Sequence, residues 1–141
     1  MARCLGLSTL LLLLLSACGG PAPKQQRPEP AGKVVVITDS LLLHGGSDTL
    51  RLGVLRSGEQ ARTRLNLRNE TAQPMLLLGE ELTCGCIALD YERKPIAKSE
   101  HLPLQVDFDS RGLWGWQLKL FYLHLHGAEA PLKIYVEAEL E

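Results

Sequence analysis

The chain predicts an all-β, immunoglobulin-like antiparallel sandwich of about seven to eight strands, preceded by a signal peptide and a flexible linker. Three observations carry that expectation. From Lys33 onward, apolar and polar residues alternate with a period of two, the pattern of strands that bury one face. Clusters of turn-forming residues interrupt the alternation at short intervals. No segment repeats apolar residues at the 3.6-residue spacing of an amphipathic helix.

The first element is not part of the sandwich. Met1-Ala2-Arg3 is a short basic start, and Cys4 to Leu15 is apolar but shorter than the ~20 residues a membrane-spanning helix needs. Residues 1–17 therefore read as a secretory leader. It ends in Leu15-Ser16-Ala17-Cys18, which resembles the bacterial lipobox. That resemblance implies cleavage before Cys18 and attachment of a diacylglyceryl group, with acyl chains such as palmitate, to its thiol. Several acyl chains, at about 0.8 kcal/mol per buried CH₂, would hold the protein stably in a membrane. The implied address is the bacterial cell envelope, lipid-anchored and facing the periplasm. Residues 18–32 combine the lipidated cysteine with a stretch rich in Pro and Gly that has little to bury, and they read as a tether.

Residues 33–141 form the one expected domain. Val34-Val35-Val36-Ile37 is a β-branched run. Ala61, Thr63, Leu65 and Leu67 alternate with Arg62, Arg64, Asn66 and Arg68. Leu102, Leu104, Val106 and Phe108 alternate with Pro103, Gln105, Asp107 and Asp109. Leu132, Ile134, Val136, Ala138 and Leu140 do the same with Lys133, Tyr135, Glu137 and Glu139. Turn signals fall at Arg56-Ser57-Gly58, Asn69-Glu70-Thr71, Asp109-Ser110-Arg111-Gly112 and His126-Gly127-Ala128.

Composition excludes some classes of function. The net charge is −1, and loss of Arg3 with the leader makes it −2, so no basic surplus favours nucleic acid. There is no Gly-rich phosphate loop, nucleophile elbow or acid/base pair at a recognisable spacing, and the domain reads as noncatalytic, with no cofactor. Of four cysteines, Cys4 leaves with the leader and Cys18 carries lipid, so only Cys84 and Cys86 remain. Two residues apart on a strand they share a face at a Cα separation of about 6.6 Å, near the ~6.8 Å upper limit for a disulfide. A turn at Gly85, using conformations open only to glycine, could close that gap. The pair could be packed thiols, a redox-active disulfide, or soft ligands suited to Cu(I). His124 and His126 also share a strand face. If residues 74–81 and 116–125 are adjacent antiparallel strands, these histidines lie at the opposite pole from the cysteines, as ordinary strand residues.

Leu52-Gly53-Val54, Gly58-Glu59, Asn69, Pro74-Met75-Leu76, Thr83-Cys84-Gly85-Cys86, Pro95-Ile96 and Val106-Asp107-Phe108-Asp109, followed by Gly112 and Gly115, occur in that order. This order resembles the bacterial family called domain of unknown function 1573, over roughly residues 50–140. The family's usual Phe-Gly stands here as Leu52-Gly53, and its usual Pro-Gly-Glu as Ala97-Lys98-Ser99-Glu100. The resemblance implies an immunoglobulin-like fold outside the cytoplasm and no established reaction.

The expected binding surface is the pole where residues 56–59, 82–86 and 110–116 would gather. It carries Arg111, Trp114 and Trp116, residue types enriched at interface hot spots. The functional expectation is thus a lipid-anchored, noncatalytic binding or envelope-assembly module with a protein or envelope partner. The alternative is a thiol-redox or copper-handling protein working through Cys84 and Cys86. For the anchor, Cys18→Ala should move the protein from the membrane to the soluble fraction; a variant still in membranes, with no acyl mass on the wild type, would overturn it.

Overall fold

The computed structural model describes residues 31–141. The leader, Cys18 and the tether up to residue 30 lie outside the described residues. Eight strands and one short helix follow in order: β1 (Lys33–Ile37), α1 (Asp39–His44), β2 (Gly46–Leu55), β3 (Gln60–Asn69), β4 (Leu77–Leu82), β5 (Ile87–Tyr91), β6 (His101–Asp109), β7 (Gly115–Leu125) and β8 (Leu132–Leu140). They form two four-stranded sheets, ordered β1-β3-β6-β5 and β2-β8-β7-β4. The chain is an all-β sandwich.

The alternation decides which face of each strand is buried. Leu65 and Leu67 of β3, Leu102, Leu104, Val106 and Phe108 of β6, Phe121 and Leu123 of β7, and Leu132, Ile134 and Val136 of β8 are buried between the sheets. The registers Leu65↔Leu104 and Phe121↔Ile134 set inward residues side by side within each sheet. Burial of such side chains, each contributing about 1.5–3 kcal/mol, is the main force holding the layers together.

Two features depart from the expected antiparallel, helix-free pattern. β1 pairs with β3, and β2 with β8, in parallel. Neither partner follows its neighbour in the chain, so no tight hairpin obliges the pair to be antiparallel. Between β1 and β2, α1 makes the passage from one sheet to the other. Its N-cap Thr38 accepts the Leu41 amide at 3.2 Å, and Gly45 ends it at φ 76°. Six residues are too few to leave a periodic trace in the sequence.

Asn66, which the alternation places outward, is nonetheless fully buried, and its amide donates to the Ala31 carbonyl at 3.1 Å. Residues 31 and 32 thus lie against the outer face of the first sheet, and a Cβ on Gly32 would come within 2.4 Å of the Arg64 carbonyl oxygen. Asn69 organises the β3–β4 corner. Its amide donates to the Gln73 and Ile96 carbonyls, and its oxygen accepts from the Thr71 amide and hydroxyl. These bonds make the segment 69–71 a self-satisfied turn.

Leu65→Ala or Leu104→Ala should lower unfolding free energy by about 2–5 kcal/mol, because both sites are closed to solvent. Leu118→Ala, on the outer face, should cost less than about 1 kcal/mol. Denaturant titration followed by circular dichroism checks both, and equal effects at the three sites would contradict the assignment of faces.

Candidate functional site

Strand directions collect three connections at one pole: the β2–β3 turn, the β4–β5 crossing and the β6–β7 turn. Hydrogen bonds knit them together. The Ser110 hydroxyl donates to the Arg56 and Glu59 carbonyls, and the Ser57 hydroxyl to the Leu113 carbonyl at 3.1 Å. The chain end joins them, since the Ser57 amide donates to the Glu141 carbonyl and the Glu141 amide to the Leu55 carbonyl.

Cys84 and Cys86 occupy the β4–β5 crossing and are joined by a disulfide, with their Cα atoms 5.2 Å apart. Both are half-buried against the core. Gly85 is exposed and does not take a positive φ, so the turn does not use the glycine-only conformation expected from the sequence. A modest bend over residues 83–86 is enough to shorten the extended spacing. The Thr83 hydroxyl donates to the Leu120 carbonyl, and the Cys86 carbonyl accepts the Asp109 amide at 2.8 Å. With the sulfurs bonded to each other, this state offers no thiolate to a metal ion.

Arg111 lies beside Cys86, and the two residues border a cavity of about 390 Å³ with Gly85 and Asp109. Its guanidinium Nε donates to both Asp109 carboxylate oxygens, at 3.0 and 2.9 Å. A second cavity, of about 510 Å³, runs from Gly85 and Cys86 past Gln60, Arg62, Asp107 and Asp109. Arg62 and Asp107 form another close pair there, at 2.7 Å. The Asp109–Arg111 pair has a signal in the sequence, two opposite charges around a turn serine. Arg62 and Asp107 meet only through the β3–β6 register, which local sequence does not reveal.

The tryptophans project at the same pole but not against the disulfide. The register Leu82↔Phe121 sets Cys84 near the middle of β7, whereas Trp114 and Trp116 stand at its beginning. Adjacent strands over residues 74–81 and 116–125 predict cysteines beside Arg111, Trp114 and Trp116; the structure brings Arg111 beside Cys86, whereas β7 overhangs β4 and carries the tryptophans past the pair. Trp114 is 82% exposed and Trp116 59%. The registers Trp116↔Glu139 and Glu139↔Val54 place Trp116 in one outward row with Val54, itself 63% exposed. Leu118, 44% exposed, stands in the next outward position of β7. Sequence reading missed Val54 and Leu118 because alternation alone does not say which apolar residues the opposite sheet fails to cover.

His124 pairs in register with Gly79 and stands 3.7 Å from the Glu81 carboxylate on the outer face of the second sheet. Among the described residues, no group of three or more His, Cys, Asp or Glu side chains is placed to hold a metal ion. At the edge where the sheets face each other, Tyr91 of β5 donates its hydroxyl to Glu80 of β4. Burial, then this bond to a carboxylate, pushes the Tyr91 hydroxyl up to about 12.

With the geometry in place, comparison with known proteins identifies the family. The profile of the family described as protein of unknown function (DUF1573) matches residues 43–140. The chain belongs to this family. No curated protein matches its sequence. Among solved structures, this DUF1573 chain is similar to a protein of unknown function from Porphyromonas gingivalis W83, with 22% identity and a TM-score of 0.59. That match covers 67% of this chain and 44% of the other. It is also similar to the VesB protease of Vibrio cholerae, at 13% identity and TM-score 0.55, over 66% of this chain and 30% of that one. The secreted serine protease VesC of the same organism gives 11% identity and TM-score 0.52, over 64% and 21%. The DUF1573 chain thus spans less than half of each of these proteins, and at such identities the likeness is one of fold.

The bonds from Arg111 hold the Asp109 carboxyl down at about 2. Its folded value lies below the ordinary 3.8, so the pair supports the folded state at neutral pH and down to about pH 4. That support fades as the pH falls from there toward 2. Carboxyl carbon NMR should show the Asp109 midpoint near 2, and Arg111→Gln should return it to the ordinary carboxylate range; an unchanged midpoint would refute the pairing in solution.

Proposed function

We propose that this DUF1573 protein is a noncatalytic binding module of the bacterial cell envelope, anchored through lipid on Cys18, whose docking surface is the pole bearing Arg111, Trp114 and Trp116. The observation that carries the reading is the exposure of both tryptophans at one pole, Trp114 at 82% and Trp116 at 59%. Exposed apolar groups scattered singly need no explanation, whereas neighbouring ones mark interaction sites. Here Trp116 and Val54 share a row, Leu118 stands beside it, and Trp114 immediately precedes the strand.

The surroundings of the tryptophans suit binding. Tryptophan and arginine dominate interface hot spots because they bring large contact area with directional polar groups. The Arg111 side chain is 71% exposed while its Nε faces Asp109, so it is held in place and still presented. The β2–β3 and β6–β7 turns, hydrogen-bonded to each other, give the tryptophans a rigid base, which reduces the ordering cost of association. The leader and lipobox-like Cys18 supply the membrane address, and residues 18–32 supply the reach.

A partner cross-linked to the wild type in native envelopes, then purified, allows affinities to be compared directly. Trp114→Ala should weaken binding by about thirtyfold, equivalent to ~2 kcal/mol, while leaving the fold intact because the side chain is mostly in solvent. A loss of less than about threefold in Trp114→Ala, Trp116→Ala and Arg111→Ala alike would place the docking surface elsewhere.

A further inference from the structure

The β4–β5 crossing is held in place without its disulfide. Leu82 is in register with Phe121, the Thr83 hydroxyl bonds the Leu120 carbonyl, the Cys86 carbonyl accepts from Asp109, and Ile87 resumes the ladder opposite Phe108. A bond spanning one intervening residue closes a very small loop, so it restricts little of the unfolded chain. Its place in the fold is also accessible. Gly85 is exposed, and a Cβ built there would meet nothing within 4 Å. Cavities of about 510 and 390 Å³ open beside it, and Cys86 lines both. The flanking cations are matched by carboxylates, Arg62 by Asp107 and Arg111 by Asp109, so access and not a net local field governs reactivity.

We propose that Cys84–Cys86 is a thiol–disulfide exchange site that oxidises a dithiol on a protein docked at this pole. A thiolate of the partner attacks the Cys86 Sγ; the Cys84–Cys86 bond breaks, and Cys84 leaves as a thiolate that takes a proton from water. The partner's second thiolate then attacks the partner sulfur of the mixed disulfide. Cys86 is released as a thiolate and is protonated in turn. Two electrons pass from the partner's dithiol to the pair, the partner gains a disulfide, and no other oxidant enters, so each chain reacts once and the step is stoichiometric, as a noncatalytic module allows. The docking half of this proposal rests on the binding surface described above; the exchange chemistry does not.

Dithiothreitol is the dithiol probe for the full-length protein, with alkylation and peptide-level mass spectrometry separating Cys84 and Cys86 from Cys4 and Cys18. Native-state reduction should proceed within about thirtyfold of the rate in guanidinium, because access and not global opening limits it. The β-sheet circular dichroism should survive reduction. Slower native reduction, or loss of the β signal on reduction, overturns the exchange site, since a bond that opens only by unfolding is structural. Native Cys84→Ser should also form a one-to-one mixed disulfide between Cys86 and glutathione supplied as its disulfide; failure overturns attack at Cys86. The wild-type kinetics decide the matter even where that variant does not fold. Rapid exchange with partner affinity indifferent to Trp114→Ala removes the docking surface and keeps the exchange site. Trp114-dependent binding with a protected disulfide does the reverse.

Discussion

Each strand of this sandwich can bury alternate side chains only against the opposite sheet, and most connections in the chain change sheets. All but two do so; β5–β6 and β7–β8 alone stay within one layer. The core is therefore assembled from strands whose sequence neighbours lie across the interface, and one sheet's register constrains the other's. Phe108 at the end of β6 and Phe121 within β7, both closed to solvent, come from the two layers in just this way. A one-residue slip in either strand would turn its apolar set to solvent, at a cost no surface interaction here could offset.

The pole proposed for docking follows from that constraint. Crossings between layers need turns, and the directions of the strands bring three of them to one end. There Ser57 and Ser110 bridge loops more than fifty residues apart in sequence. A surface built on such a base can carry exposed tryptophans without being mobile. The other pole is closed differently, by Asn69 satisfying both its amide and its oxygen within the β3–β4 corner and by the short helix α1.

The disulfide belongs to the same geometry. It lies where the chain passes from β4 at the edge of one sheet to β5 at the edge of the other, and Tyr91 and Glu80 join the same two edge strands. A covalent link in so short a crossing duplicates what backbone hydrogen bonds already secure. That redundancy leaves its sulfurs available for chemistry without endangering the core.

The sequence by itself determined the sandwich, the inward faces of β3, β6 and β8 and the family, and it singled out Cys84, Cys86, Arg111, Trp114 and Trp116 as the residues on which the functional proposals rest. These rest on period-two alternation and on residue chemistry, both of which are local. Only the tertiary structure decided that β1 and β2 run parallel to their partners, that Asn66 is covered, that Arg62 meets Asp107, and that Val54 extends the tryptophan row. It also decided that Cys84 stands near the middle of β7 instead of at its start. Each of these depends on which strand lies beside which and in what register. That information comes from long-range packing between the sheets, and no window of neighbouring residues contains it.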